Sequence, residues 1–233
     1  MAIGYSGDPL AFFAILCGYS DRSTSEPPNL CGFATLREIF SVFVFFAIFP
    51  YCDRMVPRLE TERLVLRAHR LEDFPHVAAL WSEPIVTRFI SGIPQTPEES
   101  WSRLLRYAGH WLLLGFGYWA VEEKATGTFL GEVGFADMKR TIEPPLGNTP
   151  EAGWVFASSA HGKGFALEAV QAIHSWGAKN FQTSASACII HPENESSIRL
   201  AAKIGYREAA RSFYKGTEAI IYFRSWEAVR NSN

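Results

Sequence analysis

One segment in the second half of the chain joins an apolar strand to a long helix through a turn that contains two glycines. Its pattern predicts a strand over residues 151–157 and a helix from about Gly164 to Lys179. The start of a helix leaves backbone N–H groups without intrahelical partners, and the helix dipole adds partial positive charge to them. Because Gly162 and Gly164 carry no side chain, a diphosphate could approach these donors closely. The segment therefore predicts an anion site within an α/β fold.

The spacing of this turn argues against two common nucleotide-binding motifs. The P-loop pattern G-x-x-x-x-G-K-[S/T] is absent, and Leu167 occupies the third glycine position of the dinucleotide-binding pattern G-x-G-x-x-G. Two glycines before a helix often only close a loop. The turn therefore has to be interpreted together with the motifs around it.

The other elements predict a mixed α/β fold around one central sheet. At 233 residues the chain is long enough for one well-buried domain and an appendage. Strands and helices are expected in the order β, α, α, β, β, β, α, β, α, β, β. The second helix is expected to bury an apolar stripe with helical spacing: Trp101, Leu104, Leu105, Ala108 and Leu112.

The first 54 residues differ from the rest in composition. They hold 11 of the 33 aromatic residues, and their apolar stretches 10–17 and 40–49 are too short to span a bilayer. A basic start and a cleavage site typical of a secretory signal are missing. We expect residues 1–54 to be a hydrophobic extension without function and residues 55–233 to be the catalytic domain. A membrane-binding or partner-binding hairpin and an extra packed helix are the alternatives.

Charge and cysteine content exclude several classes of partner. The formal net charge is only -2, and no five or six like charges occur together, so a nucleic-acid partner is not expected. Membrane association is not expected either. The cysteines lack the spacing of a metal site, so we expect no metal and free thiols in a reducing, cytoplasmic compartment. They are Cys17, Cys31, Cys52 and Cys188.

Three motifs follow one another within residues 56–225 and together are far more specific than any one of them. They are Glu151-Ala-Gly-Trp-Val-Phe, His161-Gly-Lys-Gly-Phe-Ala-Leu-Glu-Ala, and His191-Pro-Glu-Asn-Glu-Ser-Ser-Ile-Arg followed by Lys203-Ile-Gly-Tyr. This combination resembles the GNAT superfamily of N-acetyltransferases, and its closest branch looks RimJ/RimL-like. The resemblance implies the GNAT acyl-CoA N-acyltransferase fold, with a mostly antiparallel twisted sheet that is splayed at the cofactor strand and flanked by helices.

The resemblance implies acetyl-CoA as co-substrate. The family's turn has the form [Q/R]-x-x-G-x-[G/A], and this chain has His161, Gly164 and Ala166 at those places. Histidine replaces the usual Gln or Arg, which leaves the backbone donors unaffected but not the family's side-chain contact. The splayed strand is implied to pair with pantetheine through its backbone, while its side chains pack in the core. The implied cofactor-binding residues are Trp154, Val155, Phe156, His161, Gly162, Lys163, Gly164, Phe165, Ala166 and Asn194.

Two catalytic residues are predicted, Glu151 and Ser197. Asn194 and Ser197 match the family's N-x-x-[A/S] positions, although Asn194 could equally cap the helix that starts there. Ser197 is expected to donate to the departing thiolate, because the tyrosine that some relatives use for this is Ala201 here. Glu151 is expected to take the amine proton.

Three alternatives to Glu151 as the base are Asp137, Glu132 and a chain of waters. The amine is expected to attack the thioester directly in a ternary complex, with a backbone N–H of the Val155 region holding the oxyanion. Cys188 lies in an apolar strand and is expected to be a core residue rather than a nucleophile.

The leading functional hypothesis is an N-acetyltransferase that acts on a protein N-terminus or a small-molecule amine. A homodimer is compatible with this hypothesis. The alternatives are a non-catalytic acyl-CoA sensor, favoured by Ala201, and a membrane-associated protein that acts through residues 10–50.

Overall fold

The computed structural model describes residues 56–226, so the predictions for residues 1–54 lie outside the described part of the chain. The strands are β1 Leu59–Glu60, β2 Leu64–Arg67, β3 Tyr118–Glu123, β4 Phe129–Ala136, β5 Glu151–Phe156, β6 Ala185–Ile190, β7 Arg207–Tyr214 and β8 Thr217–Ser225. The α-helices are α1 Phe74–Ser82, α2 Pro84–Thr87, α3 Pro97–Leu114, α4 Phe165–Asn180 and α5 Glu195–Lys203. No helix within residues 56–226 is long and apolar enough to cross a bilayer.

All eight of these strands form one sheet in the order β1-β2-β3-β4-β5-β6-β8-β7. Neighbouring strands are antiparallel except β5 and β6, which run parallel. These two are registered at a single pair, Glu151 with Ala187, whereas β4 and β5 are registered along their whole length. The sheet is therefore mostly antiparallel and splayed at β5, which confirms the predicted mixed α/β fold.

Helices cover both faces of the sheet at β5. Successive strand side chains point to opposite faces, so Val155 packs with Val77 and Leu104 of α1 and α3, while Phe156 belongs to the main core. On that main-core side α4 buries Phe165, Ala169 and Ile173, as its spacing predicts. The beginning of α4 is thereby fixed beside the end of β5.

The stripe predicted for α3 was wrong. Of its five residues only Leu104 is buried, while Trp101, Leu105 and Leu112 are 37%, 51% and 59% exposed. The helix instead buries a stripe of mixed polarity in which tyrosine, histidine and tryptophan use their polar atoms. This stripe consists of Ser100, Leu104, Tyr107, His110 and Trp111.

The polar atoms of this stripe form hydrogen bonds with residues of the sheet and of the segment after β4. These bonds explain why α3 buries this face rather than the more apolar one. The Tyr107 hydroxyl donates to the buried Glu132 carboxylate at 3.3 Å, and Trp111 Nε1 donates to the Tyr118 carbonyl at 2.9 Å. His110 Nε2 contacts the carbonyl of Asp137 at 3.3 Å. Apolar periodicity alone misses such residues because their hydrogen bonds depend on groups distant in sequence.

A buried polar chain joins α4 to the sheet on the main-core side. His174 Nδ1 donates to the Val170 carbonyl at 2.8 Å, and its Nε2 accepts from the Tyr206 hydroxyl at 3.0 Å. The Ser186 hydroxyl lies 2.8 Å from the Tyr206 oxygen. Burial is the main reason that the pKa of His174 falls to about 3, so the imidazole is neutral in the folded protein.

The buried, neutral His174 should make the free energy of unfolding decrease as the pH falls. Below the unfolded pKa of about 6.5, the unfolded chain takes up a proton that the folded chain refuses, so stability falls as the pH drops. Between pH 6 and 5 the wild type should lose about 1 kcal/mol more unfolding free energy than His174→Gln, measured by urea denaturation. The exposed His76→Gln serves as control and should keep the wild-type slope. Equal slopes for wild type and His174→Gln would contradict this assignment.

Candidate active site

A long groove of about 530 Å³ opens where β5 separates from β6. Its walls come from the end of β5, the glycine turn, the start of α4, the inner face of α5 and the segment after α2. The predicted cofactor-binding residues that line it are Trp154, Val155, Phe156, His161, Gly162, Gly164, Ala166 and Asn194. Ser197 lines it as well. The structure thus brings together residues that are up to 43 positions apart.

The glycine turn places a group of backbone donors in this groove. Gly162 and Gly164 have φ angles of +74° and +81°, in the left-handed region that favours glycine. Gly164 is the N-cap of α4, and no side chain caps the helix. Within residues 56–226 the N–H groups of residues 162–167 donate no hydrogen bond. This is the donor arrangement that a diphosphate requires.

Two of the predicted cofactor residues do not line the groove. Phe165 is buried in the core, so its side chain anchors the helix start. Lys163 is exposed, and its carbonyl accepts a hydrogen bond from Arg63 Nη1 at 2.9 Å. Only the backbone of these two residues is in a position to contribute to the anion site.

A brace from the β1–β2 turn holds the glycine turn in place, and no motif of the sequence indicates it. Glu168, in the first turn of α4, accepts from Thr61 Oγ1 at 2.5 Å and from the Arg63 backbone N–H at 2.8 Å. The Arg63 guanidinium pairs with the same carboxylate at 2.7 Å and lies 4.7 Å from the centre of the Phe165 ring. We call Thr61, Arg63 and Glu168 the brace.

The His161 side chain links the glycine turn to the end of β5 by a hydrogen bond. Its Nε2 donates to the Phe156 carbonyl at 2.9 Å, although the residue itself is exposed. Register with β4 and the bond from the Ala157 N–H to the Leu130 carbonyl show that odd-numbered residues of β5 bond to β4. The N–H and C=O of Trp154 and Phe156 therefore face the gap, where His161 occupies the Phe156 carbonyl.

Two cations of α5 also line the groove and were not among the predicted residues. Arg199 and Lys203 are four positions apart and therefore share one helix face. Arg199 pairs with Glu195 at 2.9 Å on the exposed surface. The spacing of Arg199 and Lys203 indicates that they share one face of α5. The sequence alone does not show that this face is the one near the glycine turn.

Asn194, Ser197 and Trp154 form one hydrogen-bonded group at the inner end of the groove. The Asn194 side chain accepts from the Ser197 N–H at 3.2 Å, so it caps α5 as its alternative role required. Trp154 Nε1 donates to Ser197 Oγ at 3.2 Å. The half-buried Trp154 indole thus packs against the core and also fixes the serine hydroxyl, which remains free to donate its own hydrogen.

A smaller cavity of about 150 Å³ continues from the groove on the other side of this group. The two cavities share six lining residues: Phe89, Ile90, Trp154, Val155, Asn194 and Ser197. The small cavity is also lined by Tyr107, Tyr118, Arg103, Arg140, Glu151 and Cys188. A molecule in the groove and one in the small cavity would therefore meet beside Ser197.

Glu151 lies in the small cavity and is held by Arg140. Arg140 Nε and Nη2 donate to the two carboxylate oxygens at 2.6 and 2.7 Å, and both side chains are largely buried. Burial would lower the pKa of the Arg140 guanidinium, but hydrogen bonding to Glu151 outweighs it and raises that pKa above its ordinary value. Asp137 and Glu132, the alternative bases, do not line the small cavity.

Two glycines make room for Tyr118 at this cavity. A methyl group on Gly153 would overlap the Tyr118 hydroxyl, and one on Gly134 would overlap the backbone of Gly117 and Tyr118. Burial raises the pKa of Tyr118, so the hydroxyl stays neutral. The neighbouring Trp111 and Trp119 are core residues, whereas Tyr118 is buried and also faces the cavity.

Burial also raises the pKa of the Cys188 thiol well above its ordinary value. The side chain is buried in β6 and belongs to the main core. Among residues 56–226 no group of three or more His, Cys, Asp or Glu side chains is arranged to hold a metal ion.

Comparison with known proteins gives a consistent family assignment for this architecture. Residues 63–207 match the Acetyltransferase (GNAT) domain. Protein YkkB of Bacillus subtilis is 32% identical over 165 residues, which are 68% of this chain and 91% of that protein. A GnaT-family acetyltransferase from Bordetella pertussis is 28% identical with a TM-score of 0.65, covering 72% of this chain and 99% of that one.

RimL, a ribosomal L7/L12 alpha-N-protein acetyltransferase solved with coenzyme A, is also similar in structure. Its TM-score is 0.60 over 72% of this chain and 98% of RimL. The sequence identity is 14%, so this likeness concerns the fold alone.

The brace should control how well the glycine turn is prepared for coenzyme A. Glu168→Ala removes the carboxylate that holds Thr61 and Arg63, so the turn should lose order and the Kd for coenzyme A should rise about fivefold to tenfold. Isothermal titration calorimetry measures this. Glu208→Ala, which removes an exposed carboxylate paired with Arg211 on β7, should leave the Kd unchanged. Unaltered binding by Glu168→Ala would show that the turn needs no brace.

Proposed function

This chain belongs to the GNAT acetyltransferase family, and from that premise we propose that it transfers an acetyl group from acetyl-CoA to a primary amine. The acceptor is a small-molecule amine or a protein N-terminus. The observation that carries the proposal is the groove between the separated strands β5 and β6, which ends at the unpaired N–H groups of the glycine turn. An elongated ligand with a diphosphate at one end fits this combination.

Coenzyme A fits the groove by the chemistry of its walls. The N–H groups of residues 162–167 would hold the diphosphate, with Arg199 and Lys203 adding positive charge from α5. The backbone of Trp154 faces the gap and would pair with the pantetheine arm as an added strand does. The bound co-substrate supplies an acetyl thioester at the inner end, beside Ser197.

Backbone groups of β5 also supply a site for negative charge. The predicted oxyanion donor was an N–H of the Val155 region, and the N–H of Val155 itself faces β4. The N–H groups of Trp154 and Phe156 face the gap, and we assign the role to one of these. Fixed donors in a partly closed site stabilise developing charge without reorganisation.

Ser197 is the proposed proton donor to the departing sulfur. Its oxygen accepts from Trp154 Nε1, so the orientation of the hydroxyl is fixed while its hydrogen is available to the site. Because Asn194 caps the same helix turn, the serine backbone is held as well.

Glu151 is the proposed acceptor of the ammonium proton. It lies in the small cavity, and each carboxylate oxygen can accept another hydrogen bond besides the one from Arg140. Arg140 thus acts as a positioning residue. A neutral amine formed there attacks across the shared wall of the two cavities, and the C–N bond forms as the C–S bond breaks. The departing sulfur takes the proton of the Ser197 hydroxyl, and the proton that the new amide nitrogen loses restores that hydroxyl. The raised pKa of the Cys188 thiol favours this direct attack over a cysteine intermediate.

The proposal is tested with the full chain by two separate measurements. Calorimetry should detect binding of coenzyme A, and release of free thiol from acetyl-CoA should depend on an added amine. Binding without amine-dependent thiol release would favour the non-catalytic acyl-CoA sensor, which the replacement of the family tyrosine by the buried Ala201 also suits. The absence of both would refute the proposal.

Ser197→Ala should lower kcat about tenfold to a hundredfold and leave the Kd for coenzyme A nearly unchanged, because only the departing sulfur loses its proton donor. Thiol-release kinetics and calorimetry measure the two quantities. Ser196→Ala removes the neighbouring hydroxyl in the same groove and should retain wild-type kcat. Equal kcat for the two variants would remove Ser197 from the chemistry.

Glu151→Gln should lower kcat about a hundredfold, because glutamine keeps the shape of the side chain but cannot take a proton. Glu132→Gln is not a suitable control, since Glu132 is buried in the core. Asp137→Asn is suitable, because Asp137 pairs with Lys139 outside the cavity. A Glu151→Gln enzyme with unchanged kcat at every pH would exclude Glu151 as the base.

A further inference from the structure

Two arginines line the small cavity, and a third lies near them on α3. Arg103 and Arg140 line it directly. Arg106 lies one helical turn beyond Arg103 on α3, and the positive charges of Arg103 and Arg140 both act on it. We call Arg103, Arg106 and Arg140 the arginine cluster. A cavity that accepts an amine would not be expected to collect cations unless the amine carries a compensating charge.

The carboxylates near the arginine cluster already form hydrogen bonds with other groups. Glu151 holds Arg140 through both oxygens. Glu132 is fully buried behind Tyr107 and accepts from Trp81 Nε1 at 2.9 Å. Its other oxygen contacts His69 Nε2 at 3.2 Å. Neither acid is in a position to neutralise the outer arginines.

Glu99, one turn before Arg103 on α3, is also engaged. It is exposed and accepts from the Thr96 backbone N–H at 2.7 Å, as part of the cap of the helix. Within residues 56–226 no carboxylate lies at salt-bridge distance from Arg103 or Arg106. The positive charge of these two side chains is therefore available to a ligand.

Arg103 is held in a fixed position without losing its charge. Its guanidinium lies 3.5 Å from the centre of the Trp81 ring, and its Nε donates to the Gln95 side chain at 3.2 Å. Both partners are neutral, and the remaining guanidinium N–H groups can still bind an anion. Hydrogen bonds of the helix cap, and to a smaller extent Arg103 from one helical turn away, lower the pKa of Glu99. Within residues 56–226 Arg103 forms no salt bridge, so this pre-positioned guanidinium is suited to a carboxylate.

We infer that the small cavity selects an acceptor amine that also carries a carboxylate. The inference rests on the proposed function, because it assigns this cavity to the acceptor. The shared chemistry is a primary amine near one or more carboxylates, as in a free amino acid or the N-terminus of an acidic peptide. The amine would lie toward Glu151 and the carboxylate toward Arg103 and Arg106.

The same charges disfavour the opposite class of acceptor. A polyamine or another multiply charged cation would bring further positive charge beside the cluster and would be repelled. Positive surroundings also favour loss of the proton from the bound ammonium, which must be neutral to attack. One feature thus contributes to selectivity and to activation of the amine.

The first test compares acceptors that differ only in charge. Glutamate is paired with glutaminamide, and the peptide Ala-Glu-Glu is paired with amidated Ala-Gln-Gln and Ala-Lys-Lys. Thiol release from acetyl-CoA should give kcat/KM values at least about tenfold higher for the anionic member of a pair. Activity with glutamate alone would identify a small amino acid as the source, and activity with Ala-Glu-Glu alone a peptide N-terminus. A preference for Ala-Lys-Lys, or no preference, would overturn the inference.

The second test reverses one charge of the cluster. Arg106 is exposed, so Arg106→Glu should fold, and it should lower the ratio of kcat/KM for Ala-Glu-Glu over Ala-Lys-Lys by at least about tenfold. Added salt should reduce the difference. Arg211→Glu, an exposed position on β7 that pairs with Glu208, should keep the wild-type ratio. An equal change in both variants would contradict a local effect of the cluster.

A third measurement needs no turnover and separates the two proposals. Calorimetry compares binding of N-acetylglutamate and N-acetylglutaminamide to the full chain saturated with coenzyme A. Tighter binding of the anionic product analogue supports the inference even if no amine is acetylated, a result that would refute only the proposed activity. Equal binding overturns the inference even if amines are acetylated.

Discussion

The separation of two parallel strands is the constraint on which the functional parts of this structure depend. β5 and β6 are registered only where Glu151 faces Ala187, and beyond that point each strand follows a different course. On the side of the gap, the backbone of Trp154 and Phe156 has no neighbouring strand from the described part of the chain. The gap also places the end of β5 beside the turn that starts α4. A groove follows directly, in which the backbone of Trp154 faces the gap and the N–H groups of the glycine turn donate no hydrogen bond within residues 56–226.

The two cavities that meet at Ser197 differ in the groups that line them: backbone groups in the groove and side chains in the small cavity. Backbone groups dominate the groove, and His161, which stands where the family pattern has glutamine or arginine, donates to the Phe156 carbonyl. Side chains dominate the small cavity, where the charges of Arg140 and Glu151 oppose each other and Arg103 has no acidic partner among residues 56–226. Such a difference suits a protein family whose members share a co-substrate but differ in the acceptor. Backbone geometry is common to all members of a fold, whereas side chains vary.

Much of the fold followed from local patterns, and the failures have a common cause. The helix from Gly164 onward was predicted correctly because most of its buried residues are apolar and regularly spaced, with His174 as the polar exception. The stripe predicted for α3 was wrong because Tyr107 and Trp111 are buried through hydrogen bonds to distant strands. The brace was missed for the same reason: Glu168 lies more than 100 positions from Thr61, and no local pattern relates them.

The sequence by itself determined the family, the glycine turn and the order of elements except the short β1 and α2, because these depend on short-range spacing and on the conformations that glycine allows. Only the tertiary structure decided that the Trp154 indole holds Ser197, that Arg140 holds Glu151, and that Arg103 faces the cavity without an acidic partner among residues 56–226. Each of these depends on which face a strand or helix turns inward. That choice is fixed by the packing of the whole domain and not by any segment alone.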